Sequence, residues 1–127
     1  MTVTAVLDTT AVLAYTKGSI AVGELLSIIT DDGDTVLIPA TCIAEAHRRL
    51  TDDGDSLLSI LSTTPCVELS PLLPDQAAEV GAVSGSNGGV DLGHAAVEAV
   101  AREAQLVTQD VAVMSRLLPP GWPIIEV

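Results

Sequence analysis

Short apolar runs alternate along the chain with longer segments in which apolar residues recur at helical spacing. The short runs are rich in β-branched residues and predict strands at 3–7, 35–38, 66–69, 106–108 and 123–127. The longer segments predict helices at 11–15, 19–29, 39–50, 56–61, 74–83 and 91–104, with a last short helix after residue 110. Strands that alternate with helices in this way predict a parallel α/β sheet covered on both faces.

A glycine-rich stretch at 85–89 interrupts this pattern between two predicted helices. It lacks both the GxGxxG spacing of a dinucleotide site and the Lys-Ser/Thr pair of a phosphate loop. We therefore predict a flexible loop at this point of the chain.

The composition predicts one globular domain over residues 1–127. With 127 residues, 48% of them apolar, the chain can build a single core. Its longest apolar runs fall far short of the roughly 20 residues that a membrane span requires, and its start does not resemble a signal peptide. Cys42 and Cys66 lack a CxxC spacing, which predicts buried, reduced thiols. These features predict a cytoplasmic protein without a membrane partner.

The net charge of −12 argues against nucleic acid as a partner, because an acidic surface repels phosphate groups. Aromatic residues make up 2% of the chain, which is too few for a base-stacking platform. The basic residues are Lys17, Arg48, Arg49, Arg102 and Arg116. Any nuclease hypothesis has to account for both the negative charge and the small number of aromatic residues.

Three acidic residues lie where predicted strands end or helices begin. Asp8 and Asp110 directly follow strands, and Asp91 opens the long helix after the glycine-rich stretch. Ligands of open parallel sheets bind at the carboxyl ends of the strands, so these positions suit a functional site. Asp is also a common helix N-cap, and the two roles can coexist. The position of each acid by itself leaves both roles open.

Glu45 lies within a predicted helix, one turn before Arg48 and Arg49. Taken alone, it is explained by an exposed Glu-Arg ion pair. The joint pattern changes this interpretation, because four carboxylates brought together would repel one another unless a hard divalent cation neutralised them. Magnesium or manganese suits such all-oxygen ligands, and a cluster of this kind supports phosphodiester hydrolysis by metal-activated water.

Four stretches of the chain, taken in their order and spacing, resemble the PIN-domain family, and within it the VapC-type ribonuclease toxins of toxin-antitoxin pairs. They are VLDTTAVL at 6–13, Ile-Pro-Ala at 38–40 with Glu45 five residues on, DLGHAA at 91–96 and LVTQD at 106–110. The resemblance covers nearly the full length of the chain. It implies a three-layer α/β/α fold with a central parallel sheet of four to five strands.

The resemblance also implies a site and a chemistry. The metal site implied consists of Asp8, Glu45, Asp91 and Asp110, with Thr9 and Thr108 close to it. The activity implied is endonucleolytic cleavage of RNA with magnesium or manganese. Members of the family often dimerise, and an antitoxin places a basic side chain near the metal. We therefore expect a homodimer and an antitoxin partner with a basic segment.

Four further residues are candidates near this site, each with a plainer alternative. Arg48 and Arg49 are the cations best placed to contact RNA phosphates, or else they form a solvated helix face. His94, one turn after Asp91, either orients a ligand residue or packs between helices. Glu98 lies on the same face as Asp91 and is expected to be solvated.

Other α/β proteins with acidic sites fit the chain less well. A phosphorelay receiver needs a Lys near its last strand, whereas the lysine of this chain is Lys17. A haloacid-dehalogenase-type phosphatase needs a second Asp two residues after the first, where this chain has Thr10. We predict a metal-dependent endoribonuclease. The alternative that stays open is a PIN-fold protein that no longer cleaves RNA and binds or regulates a partner.

Overall fold

Strands and helices alternate through the computed structural model, which describes residues 2–51, 53–85 and 89–127. The strands are β1 Val3–Leu7, β2 Thr35–Pro39, β3 Val67–Ser70, β4 Gln105–Thr108 and β5 Ile124–Glu126. The helices are α1 Thr9–Thr16, α2 Ile20–Asp31, α3 Ala40–Arg49, α4 Asp55–Thr63, α5 Ala77–Ser84, α6 Val90–Arg102 and α7 Val111–Leu117. A 3₁₀ turn at Pro74–Gln76 leads into α5.

The strands form one parallel sheet in the order β3-β2-β1-β4-β5. Connections that run towards β3 and those that return towards β5 lie on opposite faces, because crossovers between parallel strands are right-handed. Accordingly, α1 packs on β1 and β4 from one side, and α6 packs on β1, β2 and β4 from the other. The predicted three-layer α/β/α fold is confirmed, with five strands in the sheet.

The core lies on the two inner strands β1 and β2. Val6, Leu7, Leu37 and Ile38 are completely buried there, as expected for strands with helices on both faces. Each such side chain stabilises the fold by roughly 1.5–3 kcal/mol relative to an exposed position. This packing aligns the carboxyl ends of β1 and β4, where Leu7 lies beside Val107. The residues that follow these two strands therefore lie side by side.

The predicted elements are present, and most of their ends shift by one or two residues. The predicted helix at 74–83 divides into the 3₁₀ turn and α5. The first turn closes tightly, because the Gln76 N–H bonds to the Leu73 carbonyl at 3.0 Å and the Gln76 side chain accepts the Leu73 N–H at 3.0 Å. In the predicted loop at 85–89, residues 86–88 lie outside the described residues.

The apolar character of the first two helices raises the question of a membrane span. In the described ranges, no single helix is long and apolar enough to cross a membrane. By length and composition alone, α1 and α2 could do so as a pair, and the angle between them is 106°. Cys42 and Cys66 are both buried and free, as predicted.

Candidate active site

Asp8 lies at the junction of β1 and α1, and its side chain is completely buried. Its Oδ1 caps α1, accepting hydrogen bonds from the Ala11 N–H at 2.9 Å and the Thr10 hydroxyl at 2.7 Å. Its Oδ2 is buried and has no hydrogen-bond partner among the described residues. Burial raises the pKa of Asp8, and the nearby Thr108 and Thr10 hydroxyls and the Ala11 N–H offset part of that rise.

The two carboxylate oxygens of Asp8 differ in whether helix capping explains them. A helix N-cap needs one acceptor, and Oδ1 supplies it. A buried carboxylate oxygen without a partner costs free energy unless a proton, a cation or a donor satisfies it. Capping therefore explains Oδ1 and leaves Oδ2 available to a ligand.

Asp91, the second residue of α6, lies beside this junction and is 9% exposed. The hydroxyl of Thr9, which directly follows Asp8, donates to Oδ2 of Asp91. The Cys42 thiol donates to the backbone carbonyl of Asp91 at 3.2 Å. Burial raises the pKa of Cys42, and the charges of Asp8 and Asp91 also raise it. Both carboxylates therefore lie near the same sulfur, and the fold brings them together around Thr9 and Cys42.

Glu45 forms an ion pair with Arg48, one turn along α3. The Nε of Arg48 lies 3.0 Å from each oxygen of the Glu45 carboxylate, and Nη2 also contacts Oε1. Hydrogen bonding to Arg48 lowers the pKa of Glu45, and the same contact raises the pKa of Arg48. The Glu-Arg pair that the sequence favours is thus present.

The side chains of this ion pair also border the space in front of Asp91. A pocket of about 370 Å³ is lined by Thr41, Ala44, Glu45, Arg48, Gly89, Val90 and Asp91. The negative charge of Asp91 contributes to the raised pKa of Arg48. A Cβ at position 89 would collide with Oδ1 of Asp91, so a larger residue there would have to displace the Asp91 carboxylate. Helices α3 and α6 therefore present Glu45, Arg48 and Asp91 to one space.

Asp110 lies at the matching junction of β4 and α7, where it is exposed. Its carboxylate accepts the Val113 N–H at 3.2 Å and so caps α7. Two threonines connect this junction to that of Asp8. The hydroxyl oxygens of Thr10 and Thr108 lie 3.1 Å apart, and the Asp110 N–H donates to the Thr108 hydroxyl at 2.9 Å. Asp110 is thus a structural cap, and its role as a ligand stays a prediction.

The fold brings the four predicted ligands together to different degrees. Asp8 and Asp91 share neighbours, Glu45 borders the same pocket as Asp91, and Asp110 is connected to Asp8 through two threonines. In the part of the chain that the structure describes, no group of three or more His, Cys, Asp or Glu side chains is placed to hold a metal ion. The complete four-carboxylate site remains a prediction.

His94 is completely buried between α6 and α3. Its Nδ1 lies 2.8 Å from the hydroxyl oxygen of Thr41 on α3, and its Nε2 faces Oε1 of Glu98 at 3.5 Å. Burial lowers the pKa of His94, and the nearby Glu98 carboxylate opposes that shift. His94 therefore packs between the two helices and makes a polar contact with the helix that carries Glu45, and its role in orienting a ligand residue stays a prediction.

The expectation that Glu98 is solvated is wrong. Glu98 is 4% exposed, its Oε1 accepts a hydrogen bond from the Gln76 side-chain amide at 2.9 Å, and the Nε of Arg102 lies 3.8 Å from its Oε2. The physical reason is helical spacing. Asp91 and Glu98 lie two turns apart on the face of α6 that packs into the protein, so both are taken out of water.

Sequence reasoning misses three residues that shape this region. Thr10 holds Oδ1 of Asp8, Thr41 lines the pocket, and Cys42 connects α3 to the first turn of α6. Helical spacing places Thr41 one turn before Glu45 on the same helix face, so the sequence does contain a signal for Thr41. The contact of Cys42 with α6 carries no such signal, because it joins segments distant in sequence. Arg48 and Arg49 are exposed, and their contact with RNA stays a prediction.

Comparison with known proteins relates the chain to others through its structure. The sequence matches no family model and no curated protein. A chain of VapBC2 from Rickettsia felis, solved bound to a DNA fragment from its promoter, is similar with a TM-score of 0.71 at 18% identity, over 97% of this chain and 98% of that chain. PAE2754 from Pyrobaculum aerophilum is similar with a TM-score of 0.63 at 19% identity, over 91% of this chain and 87% of that chain. The chain therefore has the same fold as these two structures, a three-layer α/β/α fold as the resemblance of its sequence implies.

Proposed function

We propose that this protein is a metal-dependent endoribonuclease, the toxin of a toxin-antitoxin pair. The observation that carries the proposal is the buried Oδ2 of Asp8, which has no partner among the described residues and lies in a carboxyl group whose neighbour is Asp91. Two acids gathered at the carboxyl ends of a parallel sheet are costly to a fold unless they serve a ligand. The fold shared with VapBC2 supports the same function.

The donor set fits a hard divalent cation. Asp8 and Asp91 offer carboxylate oxygens, the ligands that magnesium and manganese prefer, and the buried oxygen of Asp8 would be satisfied by such an ion. We propose that these two residues hold the metal, with Glu45 and Asp110 at its border. When bound, the ion would activate water and stabilise the charge that develops on a phosphodiester.

The other residues of the site act by holding these carboxylates in place. The Thr10 hydroxyl and the Ala11 N–H fix Oδ1 of Asp8, which leaves Oδ2 to the ligand. The Thr9 hydroxyl fixes one oxygen of Asp91. Arg48 reaches the same space from the opposite wall, so its guanidinium can pair with an RNA phosphate. These contacts pre-organise the site before substrate arrives.

The proposal includes partners. The similar structure from Rickettsia felis is a VapBC2 complex bound to promoter DNA, which supports an antitoxin partner for this chain. With a net charge of −12, the surface attracts a basic segment of such a partner and repels an acidic one. We also propose that the chain forms a homodimer, as members of the family often do.

The test is cleavage of a structured RNA by the purified protein with manganese. We expect cleavage by the wild type and a loss of at least about 100-fold in Asp8→Asn and Asp91→Ala, because each change removes a metal ligand. Asp34→Asn, an acid outside the site, is the matched control and should cleave normally. A well-folded wild type that cleaves no RNA at any manganese concentration contradicts the proposal.

That negative result would favour the alternative function, a catalytically silent module that binds or regulates a partner. Two observations support this alternative. The described residues contain no group of three metal-binding side chains in place, and the chain is strongly acidic for a protein that binds RNA. Metal binding separates the two functions, since the silent module requires no manganese at Asp8.

A further inference from the structure

A polar network with a buried centre runs through α6 behind the proposed site. It consists of Gln76, Glu98, His94 and Thr41, which come from the 3₁₀ turn, α6 and α3. The Gln76 amide donates to Oε1 of Glu98 at 2.9 Å, the same oxygen faces Nε2 of His94 at 3.5 Å, and Nδ1 of His94 meets the Thr41 hydroxyl at 2.8 Å. His94 is completely buried and Glu98 is 4% exposed.

This network is costly compared with ordinary packing. A carboxylate and an imidazole taken out of water lose hydration that an apolar pair of similar volume would not need. Among the described residues, the Nε2 of His94 makes no hydrogen bond and approaches Oε1 of Glu98 only to 3.5 Å. Arg102 approaches the other oxygen of Glu98 only to 3.8 Å. Packing α6 against the sheet does not require these groups.

The network ends at the proposed site. Thr41 lines the pocket that also contains Glu45, one turn further along α3, and Asp91, one turn before His94 on α6. The hydrogen bond between Thr41 and His94 therefore joins the two helices that carry these acids. With Nε2–H directed at Glu98, Nδ1 is the acceptor and the Thr41 hydroxyl is the donor.

We propose that Glu98 and His94 are positioning residues, which hold Thr41 and thereby set the spacing of Glu45 on α3 from Asp91 on α6. The importance of this spacing rests on the proposed function, because the spacing affects activity if Glu45 and Asp91 bind the same ligand. The spacing itself does not depend on that function, so it can be measured without metal or RNA.

The first experiment measures the helix spacing directly. Nitroxide labels are placed on exposed positions of α3 and α6 by His47→Cys and Ala101→Cys, and pulsed EPR gives the distance distribution without metal, with singly labelled variants to check that buried Cys42 and Cys66 stay unlabelled. In Thr41→Val, which loses only the hydroxyl, we expect a broader distribution or a mean shifted by about 1–2 Å, the size of helix shifts at packed interfaces. Thr41→Ser restores the hydroxyl and should restore the wild-type distribution.

The matched control is Thr30→Val on α2, where the threonine hydroxyl donates to the Leu26 carbonyl at 2.7 Å, away from the network. It should leave the distance distribution unchanged. Glu98→Gln keeps the shape of the side chain and removes its charge. It should change the distance distribution in the same direction as Thr41→Val does. Distributions identical to wild type in Thr41→Val and Glu98→Gln overturn the proposal.

The second experiment connects spacing to the site. Manganese affinity, measured by calorimetry, should fall about 10-fold in Thr41→Val and recover in Thr41→Ser, as expected when a residue that orients metal ligands is changed. If the wild type binds no manganese, the proposed function fails while the EPR result still decides the positioning. If Thr41→Val binds manganese as tightly as the wild type does, positioning of the ligands by this network is wrong.

Discussion

At the scale of single residues, the two oxygens of the Asp8 carboxylate lie in different environments. Its Oδ1 is used in capping α1, and its Oδ2 is buried without a partner among the described residues. Burial raises the pKa of this group, so the folded protein disfavours its charged form. Ionisation of Asp8 therefore costs the fold stability unless a positive charge compensates it.

A first prediction follows for stability against pH. Because the pKa of Asp8 is raised in the folded state, protonated Asp8 stabilises the fold below the unfolded pKa of 3.8. This stabilisation is lost as the pH rises through the folded pKa. Asp8→Asn keeps the capping oxygen and cannot ionise. We expect urea denaturation without metal to show that the variant gains stability relative to wild type as the pH rises from 3.8 through the raised folded pKa of Asp8.

The quantity to compare is the difference in free energy of unfolding between variant and wild type. The contributions of the other carboxylates are present in both proteins and cancel in this difference. Asp34→Asn provides the comparison for removing one half-buried negative charge outside the site. A difference that stays constant over this pH range would show that Asp8 is not destabilised by its burial. Added manganese should stabilise the wild type and Asp34→Asn by about 2.7 kcal/mol at 100 times the dissociation constant, and it should not stabilise Asp8→Asn.

At the scale of elements, the site depends on how closely α5, α6 and α3 approach one another. Gly93 on α6 faces α5, where an added Cβ would lie 2.8 Å from the Val80 carbonyl oxygen and would collide with the Ser84 hydroxyl. The small residue lets the two helices pack tightly, and the backbone atoms in contact cannot move aside without moving a helix. This contact fixes α6, the helix that carries Asp91 and His94.

A second prediction tests this contact. Gly93→Ala should destabilise the protein by about 1–3 kcal/mol through overpacking, even though alanine favours a helix by about 1 kcal/mol over glycine. Gly81→Ala on α5 is the control, because a Cβ there meets no atom within 4 Å. It should be neutral or stabilising by up to about 1 kcal/mol. Thermal unfolding of both variants measures the contrast, and equal melting temperatures would contradict the packing argument.

At the scale of the whole molecule, charge determines what the protein can bind. The net charge of −12 with five basic residues repels nucleic acid over most of the surface. Arg48 and Arg49 lie next to the proposed site, and both are exposed. We therefore expect the proposed RNA binding to be local and weak, and a basic protein partner would have the electrostatic advantage.

A third prediction concerns the salt dependence of RNA binding. If Arg48 and Arg49 each contact one phosphate of a single strand, log K against log salt should have a slope of about −1.4, since each contact contributes about 0.7. In an Asp8→Asn background, which prevents cleavage, Arg48→Gln should halve the slope in fluorescence anisotropy. Arg116→Gln on α7 is the control and should leave it unchanged. Equal slopes in all three proteins would remove Arg48 from the RNA contact.

Most of the fold could be predicted from the sequence, because it follows from local patterns. Runs of β-branched residues indicate strands, helical spacing indicates helices, and their alternation indicates a covered parallel sheet. Asp8 and Asp110 could be placed at helix starts because each follows a strand directly. These features depend on neighbours within a few residues, and short-range physics is visible in a sequence.

Only the tertiary structure decided which of these acids meet. It buried Asp8 completely, left Asp110 exposed, and placed Asp91 against Thr9 across 82 positions of sequence. It also took Glu98 out of water, contrary to expectation. The reason is that burial and long-range contacts depend on how strands and helices pack, whereas a single chain segment carries only its own periodicity and charge.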